Sequence, residues 1–403
     1  MKKRLTPVTR HYIIITAGFW MNFCIFTAYA AVFLQDAGYT NLELGLIMAA
    51  GNIGGALLGP VLGARIDRNR NLRHASVINV LLGLQVVFLL LLRLSPVKGV
   101  LCAACYLLYM AVSIPVNALN LDLCVRLEHA KAPLDFGVAR STGSLAFMVL
   151  STVLGFLIDR SSSLILPIAG IVIAAIQFCG NLLIDRDLRA AEAALPPEDA
   201  AQRERSASFL AFVKENKAFC LMLSGTVLIF IAHNMDGNFL INLVTNVGGT
   251  TGIMGYLAAF TALVEVPVMI FSSKLPRAIS RAGYIRLSFV FFVLKILAYA
   301  LAPNIPLLFA ARILQAPSYA LYTVLIVGYA DEVVSEKDSA KAQSLAFSMT
   351  TIGSVLASLI GGRMFDAAGV RTTMLIATAI CAAGAVIAIL GTLGKKRQSP
   401  LST

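Results

Sequence analysis

Six ionisable side chains stand within, or at the ends of, long apolar stretches: Asp122, Arg126, Arg140, Asp236, Glu265 and Lys295. A full charge at the depth of a bilayer costs at least about 2.5 to 3.5 kcal/mol, so each must face a cavity or a partner. Glu265 lies well inside the apolar stretch that begins at Ile253 and is followed by Val266 to Phe271, and Lys295 has Phe291 to Leu294 before it and Ile296 to Ala298 after it. A carboxylate held beside an ammonium away from bulk water is a reversible proton-binding group, which makes Glu265, Asp236 and Lys295 the candidate proton-coupling set. The bland alternative for these three is an ion pair kept for stability. For Asp122 and Arg140 it is an interfacial position, close enough to an expected helix end for the side chain to snorkel.

Uncharged polar groups accompany them in the same stretches or in neighbouring ones: Asn22, Asn117, Asn120, His233, Asn234, Asn238, Asn242, Gln315 and Tyr322. Some are interhelical hydrogen-bond partners only. No nucleophile and base set, phosphate-binding loop or metal cluster occurs, so neither an enzyme nor a cofactor is expected. The seven cysteines (Cys24, Cys102, Cys105, Cys124, Cys179, Cys220, Cys381) all fall in or at the ends of apolar stretches, where a thiol acts as a small hydrophobe, and no disulfide framework is indicated.

The elements that must position these groups are transmembrane helices. The chain has 403 residues, 58% hydrophobic and 13% charged, with mean hydropathy +0.81, whereas a soluble domain carries about 25% charged residues. Apolar stretches long enough to span fall at about 11–35, 42–64, 75–94, 99–125, 137–159, 162–184, 217–243, 252–274, 284–302, 305–330, 339–365 and 371–394. The first is longer than a signal-peptide core, has no small-residue cleavage pattern, and reads as a retained helix. The expected fold is therefore an all-α polytopic membrane protein of twelve helices in two pseudo-symmetric six-helix bundles, 1–184 and 217–403, joined by a polar middle loop, 185–216. Of 33 Lys and Arg, 25 fall in the gaps on the side of the N-terminus and five on the other, which places both termini in the cytoplasm. The formal net charge of +12 belongs to this asymmetry and not to a nucleic-acid surface, because no aromatic and basic stacking face accompanies it. Glycines 51, 54, 55, 59 and 63 in the second span, and the small residues Gly353, Ser354, Ser358, Gly361 and Gly362 in the eleventh, are expected to let helices approach closely.

Gly63-Ala64-Arg65-Ile66-Asp67-Arg68-Asn69-Arg70 resembles the Gly-x-Leu-x-Asp-Arg-x-Gly-Arg signature of the major facilitator superfamily, with Arg65 in place of an apolar residue and Arg70 where the second Gly is usual. The counterpart between spans eight and nine, Ser273-Lys274-Leu275-Pro276-Arg277, is more degraded. Asp135-Phe136-Gly137-Val138-Ala139-Arg140-Ser141-Thr142-Gly143-Ser144 resembles the stretch that opens helix five in lactose permease and the phenylpropionate permeases, and the runs Val264 to Leu275 and Gly361 to Asp366 resemble the same branch. Asp122, eighteen residues before Arg140, and Glu265 fall where lactose permease keeps its substrate-binding carboxylates. The tenth span departs from that permease: Tyr319, Tyr322 and Thr323 occupy the region of its proton-coupling His and Glu.

The resemblance implies alternating access about a midplane cavity. Its expected lining is Asp122, Arg140, Glu265, Lys295, Asn117, Trp20 and Asn238, with Gly63, Asp67 and Arg68 as a conformational latch. A sugar or nucleoside would use the carboxylates as hydroxyl acceptors; an organic acid would need Arg140 or Lys295 as its counter-charge. The expected protein is thus a monomeric inner-membrane permease, a proton symporter of a small polar solute, whose partners are that solute, protons and the bilayer, not nucleic acid. A proton-antiport exporter of the same fold and a transport-dead sensor are the alternatives.

Overall fold

The structure, a computed structural model, describes residues 5–69, 72–193, 209–272, 276, 279–335 and 338–393. Most of these are helical, with no strand among the described residues: α1 Pro7–Phe23, α2 Ala30–Asp36, α3 Asn41–Arg68, α4 His74–Leu94, α5 Val100–His129, α6 Phe136–Arg160, α7 Ile165–Ala193, α8 Phe209–Glu215, α9 Lys217–Asn238, α10 Leu240–Asn246, α11 Thr251–Phe271, α12 Arg281–Leu301, α13 Ile305–Ile313, α14 Leu321–Val333 and α15 Ser339–Thr392. A hydrocarbon core offers an unpaired amide no partner, so a chain this apolar satisfies its backbone within each segment, and only helices do that without strand neighbours.

Starts and breaks are written locally. Thr6 caps α1 by accepting from Thr9 N, and Thr40 with Glu43 forms a reciprocal capping box on α3. Asp135 caps α6, Ser280 caps α12 and Asn304 caps α13 in the same way. Eleven helical runs among the described residues are long and apolar enough to cross a membrane, and the last, Lys341–Thr392, has 52 residues. At 1.5 Å per residue it would extend about 78 Å, more than twice a hydrocarbon core of about 30 Å. Gly369, at φ 72° and ψ 176°, breaks it in a backbone region that favours glycine, and the run makes two passes. Twelve passes result, as the hydropathy pattern predicts.

The chain divides into two compact units, one of Met1–Ala200 with Thr250–Ala262, the other of Ala201–Gly249 with Leu263–Thr403. Helix α11 is shared between them. In the first unit α1, α4, α5 and α7 enclose a core of Tyr12, Ile15, Phe19, Ile78, Leu81, Leu119 and Leu123. Tyr12 Oη donates to Asn120 O at 2.8 Å, and Asn22 links Gln85 to the Tyr109 hydroxyl, so these two buried polar residues of α1 are paired across helices. The Asp159 carboxylate at the end of α6 accepts from Thr250 Oγ1 (2.6 Å) and Gly252 N (2.9 Å) at the start of α11, while Ser151 Oγ donates to Gly255 O.

In the second unit α9 lies along α15, and the backbones nearly touch at Gly225: a Cβ there would sit 2.5 Å from Gly384 O. Gly353 lies against Phe230 of α9, and Gly361 faces the side chains of Met235 of α9 and of Phe239 just beyond its end. The second-span glycines divide. Gly51, Gly54 and Gly55 pack on Met110, Ala111 and Ile114 of α5, whereas nothing lies within 4 Å of a Cβ built at Gly59 or Gly63. Close packing thus occupies only the first half of α3. Of the middle loop, residues 194–208 lie outside the described residues.

Candidate functional site

The second unit holds four charged side chains linked through its interior. Asp236 on α9 is 1% exposed; its Oδ2 lies 2.8 Å from Lys295 Nζ of α12 and its Oδ1 3.1 Å from Arg312 Nη1 of α13. Lys295, 0% exposed, also donates to His233 Nδ1 (2.6 Å) and to Gln315 Oε1 (3.0 Å). Gln315 Nε2 in turn donates to Glu265 Oε1 of α11 at 2.8 Å. Five residues from four passes thus form one continuous chain, Arg312, Asp236, Lys295, Gln315, Glu265, with His233 as a branch.

Local sequence explains how these groups meet. His233 and Asp236 are three residues apart on α9 and share a face. Pro317 interrupts the tenth span, and Ala316–Ala320 winds as a π-helical turn in which Ala320 N reaches Gln315 O. Gln315 is the residue before that turn and Tyr319 lies within it, and the Tyr319 ring stacks on His233 at 4.9 Å and 29°. Phe230 and Phe292 meet the imidazole edge-on, closing its apolar side. Asp236, Lys295, Arg312 and Gln315 are buried, while His233, Glu265 and Tyr319 are half-buried and form the accessible edge of the cluster.

The first unit carries a separate pair. Arg140 of α6 places its guanidinium 4.3 Å from the Trp20 ring of α1 and donates to Ser144 Oγ at 3.2 Å. Gly143 lets the indole lie against α6, since a Cβ there would collide with Trp20 Cδ1. Asp122 is engaged elsewhere, by His74 Nε2 and by Arg126 Nε at 3.2 Å. Asn117 is half-buried on α5, and Asn238 is buried and donates to Ser358 Oγ at 2.9 Å.

Of the residues expected from sequence, Asp236, Lys295 and Glu265 are thus joined, and Arg140 is joined to Trp20. Asp122 turns instead to His74 and Arg126, and Asn238 to Ser358 on α15. In the latch motif Arg68 is exposed at the end of α3, and the Asp67 side chain and Arg70 lie outside the described residues. Arg312 was legible as a guanidinium inside the apolar stretch of the tenth span yet does not stand among the six charges singled out, and His233 and Gln315 were visible only as generic polar groups. Among the described residues no three His, Cys, Asp or Glu side chains converge as a metal site.

Twelve passes in two units, with charge buried across helices, define a secondary-transporter class of protein. The chain belongs to the MFS_1 like family, which it matches over residues 18–376. It is 25% identical to a Deinococcus radiodurans protein assigned as a sugar efflux transporter, over 86% of this chain and 88% of that one. It is 22% identical to an Escherichia coli (strain K12) protein assigned as a 3-phenylpropionic acid transporter, over 77% and 79%. The crystal structure of the nucleoside transporter NupG superposes with a TM-score of 0.77 at 15% identity, covering 96% of this chain and all of that one. The protein is a multi-pass membrane transporter and not an enzyme.

Proposed function

We propose that this protein is a proton-coupled symporter that carries a small polar organic solute inward across the cytoplasmic membrane by alternating access, acting as a monomer. The observation that carries this reading is the buried chain from Arg312 through Asp236 and Lys295 to Glu265. Its formation takes two cations and a carboxylate fully out of water, which costs several kcal/mol per ion and is only partly offset by pairing. Interhelical packing of apolar side chains would hold these helices without that cost. Ionisable groups retained at such depth mark ion or substrate pathways.

In this reading Glu265, at the accessible end, takes and releases the proton, and Asp236 and Lys295 set its charge environment. Trp20 and Arg140 with Asn117 form the solute-binding face of the first unit, and Gly63, Asp67 and Arg68 the cytoplasmic latch. Asp122 joins α4 to α5 through His74, and Asn238 joins α9 to α15, so both hold helices in place. Relatives named for a sugar, an aromatic acid and a nucleoside bound the solute class.

Uptake of maltose, uridine and 3-phenylpropionate into proteoliposomes with an imposed inward proton gradient tests this. One compound is expected to accumulate, and Glu265→Gln is expected to abolish uphill accumulation while leaving counterflow exchange intact. Unaltered accumulation by Glu265→Gln would sink the assignment of Glu265. Proton-driven loss of a preloaded sugar would instead favour export, the reading that the 25% identical sugar efflux relative supports.

A further inference from the structure

Lys295 is saturated. An ammonium has three donors and no acceptor, and here the three go to Asp236 Oδ2 (2.8 Å), His233 Nδ1 (2.6 Å) and Gln315 Oε1 (3.0 Å), with the side chain 0% exposed. A proton that leaves Lys295 must pass through one of these acceptors. Asp236 is itself buried and bound by Arg312 on its other oxygen, and the Gln315 amide oxygen is far too weak a base to take a proton. His233 differs from both. Its Nδ1 accepts from the ammonium, so the ring proton sits on Nε2, and an imidazole can take a proton at one nitrogen while releasing one at the other. Nε2 makes no hydrogen bond among the described residues and is not shut off from solvent, and the side chain is 13% exposed.

The cluster tolerates the loss of that one proton. Asp236 faces two cations, so a neutral Lys295 still leaves Arg312 and Asp236 as a complete ion pair, 3.1 Å apart. The amine keeps two N–H bonds for Asp236 and Gln315, and its lone pair accepts from the Nδ1–H that forms. All three contacts of Lys295 persist, one of them reversed. The aromatic rings of Tyr319, Phe230 and Phe292 hold the imidazole in place between the two sides. The charged and titratable groups around it are Asp236 on its own helix, Lys295 of α12, Arg312 of α13 behind Asp236 and Tyr319 of the π-helical turn, with Cys381 of α15 near Lys295 and Glu265 of α11 beyond Gln315.

We infer that His233 is a proton relay between solution and Lys295. In the unloading step the Nζ–H bond breaks as Nδ1–H forms, and the Nε2–H bond breaks as its proton passes to a solvent water at the accessible edge; the reverse step reloads Lys295. Lys295 thereby switches between charged and neutral, and with it the charge presented through Gln315 to Glu265. The inference deepens the symport reading and rests on it for one point, that Glu265 carries the transported proton.

Stopped-flow pH jumps on the detergent-purified full chain, read with a pH-indicator dye, test the relay without any solute. The native protein is expected to show a proton-release phase that Lys295→Met removes. His233→Gln offers an acceptor to Lys295 and a donor at the edge but cannot pass a proton between them, and is expected to slow that phase about a hundredfold, the low end of what a positioned acid–base group contributes. His233→Ala is expected to be slow as well and to recover at least about tenfold with free imidazole, a rescue that a lost structural contact would not show. A phase of native rate in His233→Gln, or no recovery of His233→Ala, overturns the relay. Identical traces from the native protein and Lys295→Met overturn Lys295 as the exchanging group. Failure of the symport reading looks different: the phase slows as expected in His233→Gln, yet the native protein in proteoliposomes shows no proton-driven accumulation of maltose, uridine or 3-phenylpropionate, and the relay then stands as a proton-exchange route alone.

Discussion

Asp236 bridges two cations, with Arg312 on one oxygen and Lys295 on the other, and all three side chains are shut off from solvent. A buried pair of this kind adds little to stability relative to apolar residues of the same size, yet breaking it is expensive because the remaining charge is stranded. Asp236→Ala strands two cationic groups at once, the Lys295 ammonium and the Arg312 guanidinium, and is expected to cost about 3 to 5 kcal/mol. Thermal melting of the detergent-purified protein would register it as a lower midpoint, and adding Lys295→Met to Asp236→Ala should restore part of the loss by removing one stranded charge. A midpoint for Asp236→Ala equal to that of the native protein would mean that the cluster contributes nothing to holding α9, α12 and α13 together. The charges themselves were legible at this scale: Lys295, Asp236 and Glu265 stand out because they lie inside their stretches, whereas the other charges there, Lys217, Lys274 and Arg286, sit at or near the ends. The partners were not, because a single sequence does not say which faces of α9, α12 and α13 meet. The place of Arg312 and of the His233 imidazole as partners in the cluster therefore entered only with the tertiary structure.

Helices carry these side chains to one place through two local devices. The π-helical turn at Ala316–Ala320 begins directly after Gln315, which faces Lys295, and its register places Tyr319 over His233. The second device is the backbone contact of α9 with α15 at Gly225 and Gly384. Gly225→Ala would put a methyl group 2.5 Å from Gly384 O and 2.9 Å from Ala388 Cα, so the two helices must separate. Overpacking of this kind costs about 1 to 3 kcal/mol, and the expected result is a lowered melting midpoint together with weakened uptake. Gly59→Ala is the control: a Cβ there meets nothing within 4 Å, and in a helix the change is expected to be neutral or to stabilise by about 0.4 to 1 kcal/mol. A Gly225→Ala midpoint no lower than that of Gly59→Ala would show that α9 and α15 tolerate separation. The contrast also marks the limit of reading small residues from sequence, since Gly51, Gly54, Gly55, Gly59 and Gly63 look alike as a pattern and only three of them face a neighbouring helix.

For the whole molecule, the asymmetry of 25 Lys and Arg against five predicts both termini in the cytoplasm. Green fluorescent protein fused to the C-terminus is expected to fluoresce in a bacterial host, and alkaline phosphatase at the same point to be inactive; the reverse pattern would invert the topology. What the sequence by itself determined is the membrane architecture: twelve passes, their approximate limits, the family signature and the presence of charge at depth. These follow from local physics, because a hydrocarbon solvent demands about 20 apolar residues per pass and tolerates no unpaired backbone. Even the long α15 run reads correctly as two passes, as its length exceeds one bilayer and Gly369 supplies the break. The tertiary structure alone decided the pairing: Asp236 with two cations in place of one, Asp122 with His74, and Arg140 over Trp20. Ion pairs between helices depend on rotation about each helix axis and on depth, and both are set by the packing of all the helices of a unit together. Hydropathy averages over the helix circumference, so it carries no information about which side chain looks at which.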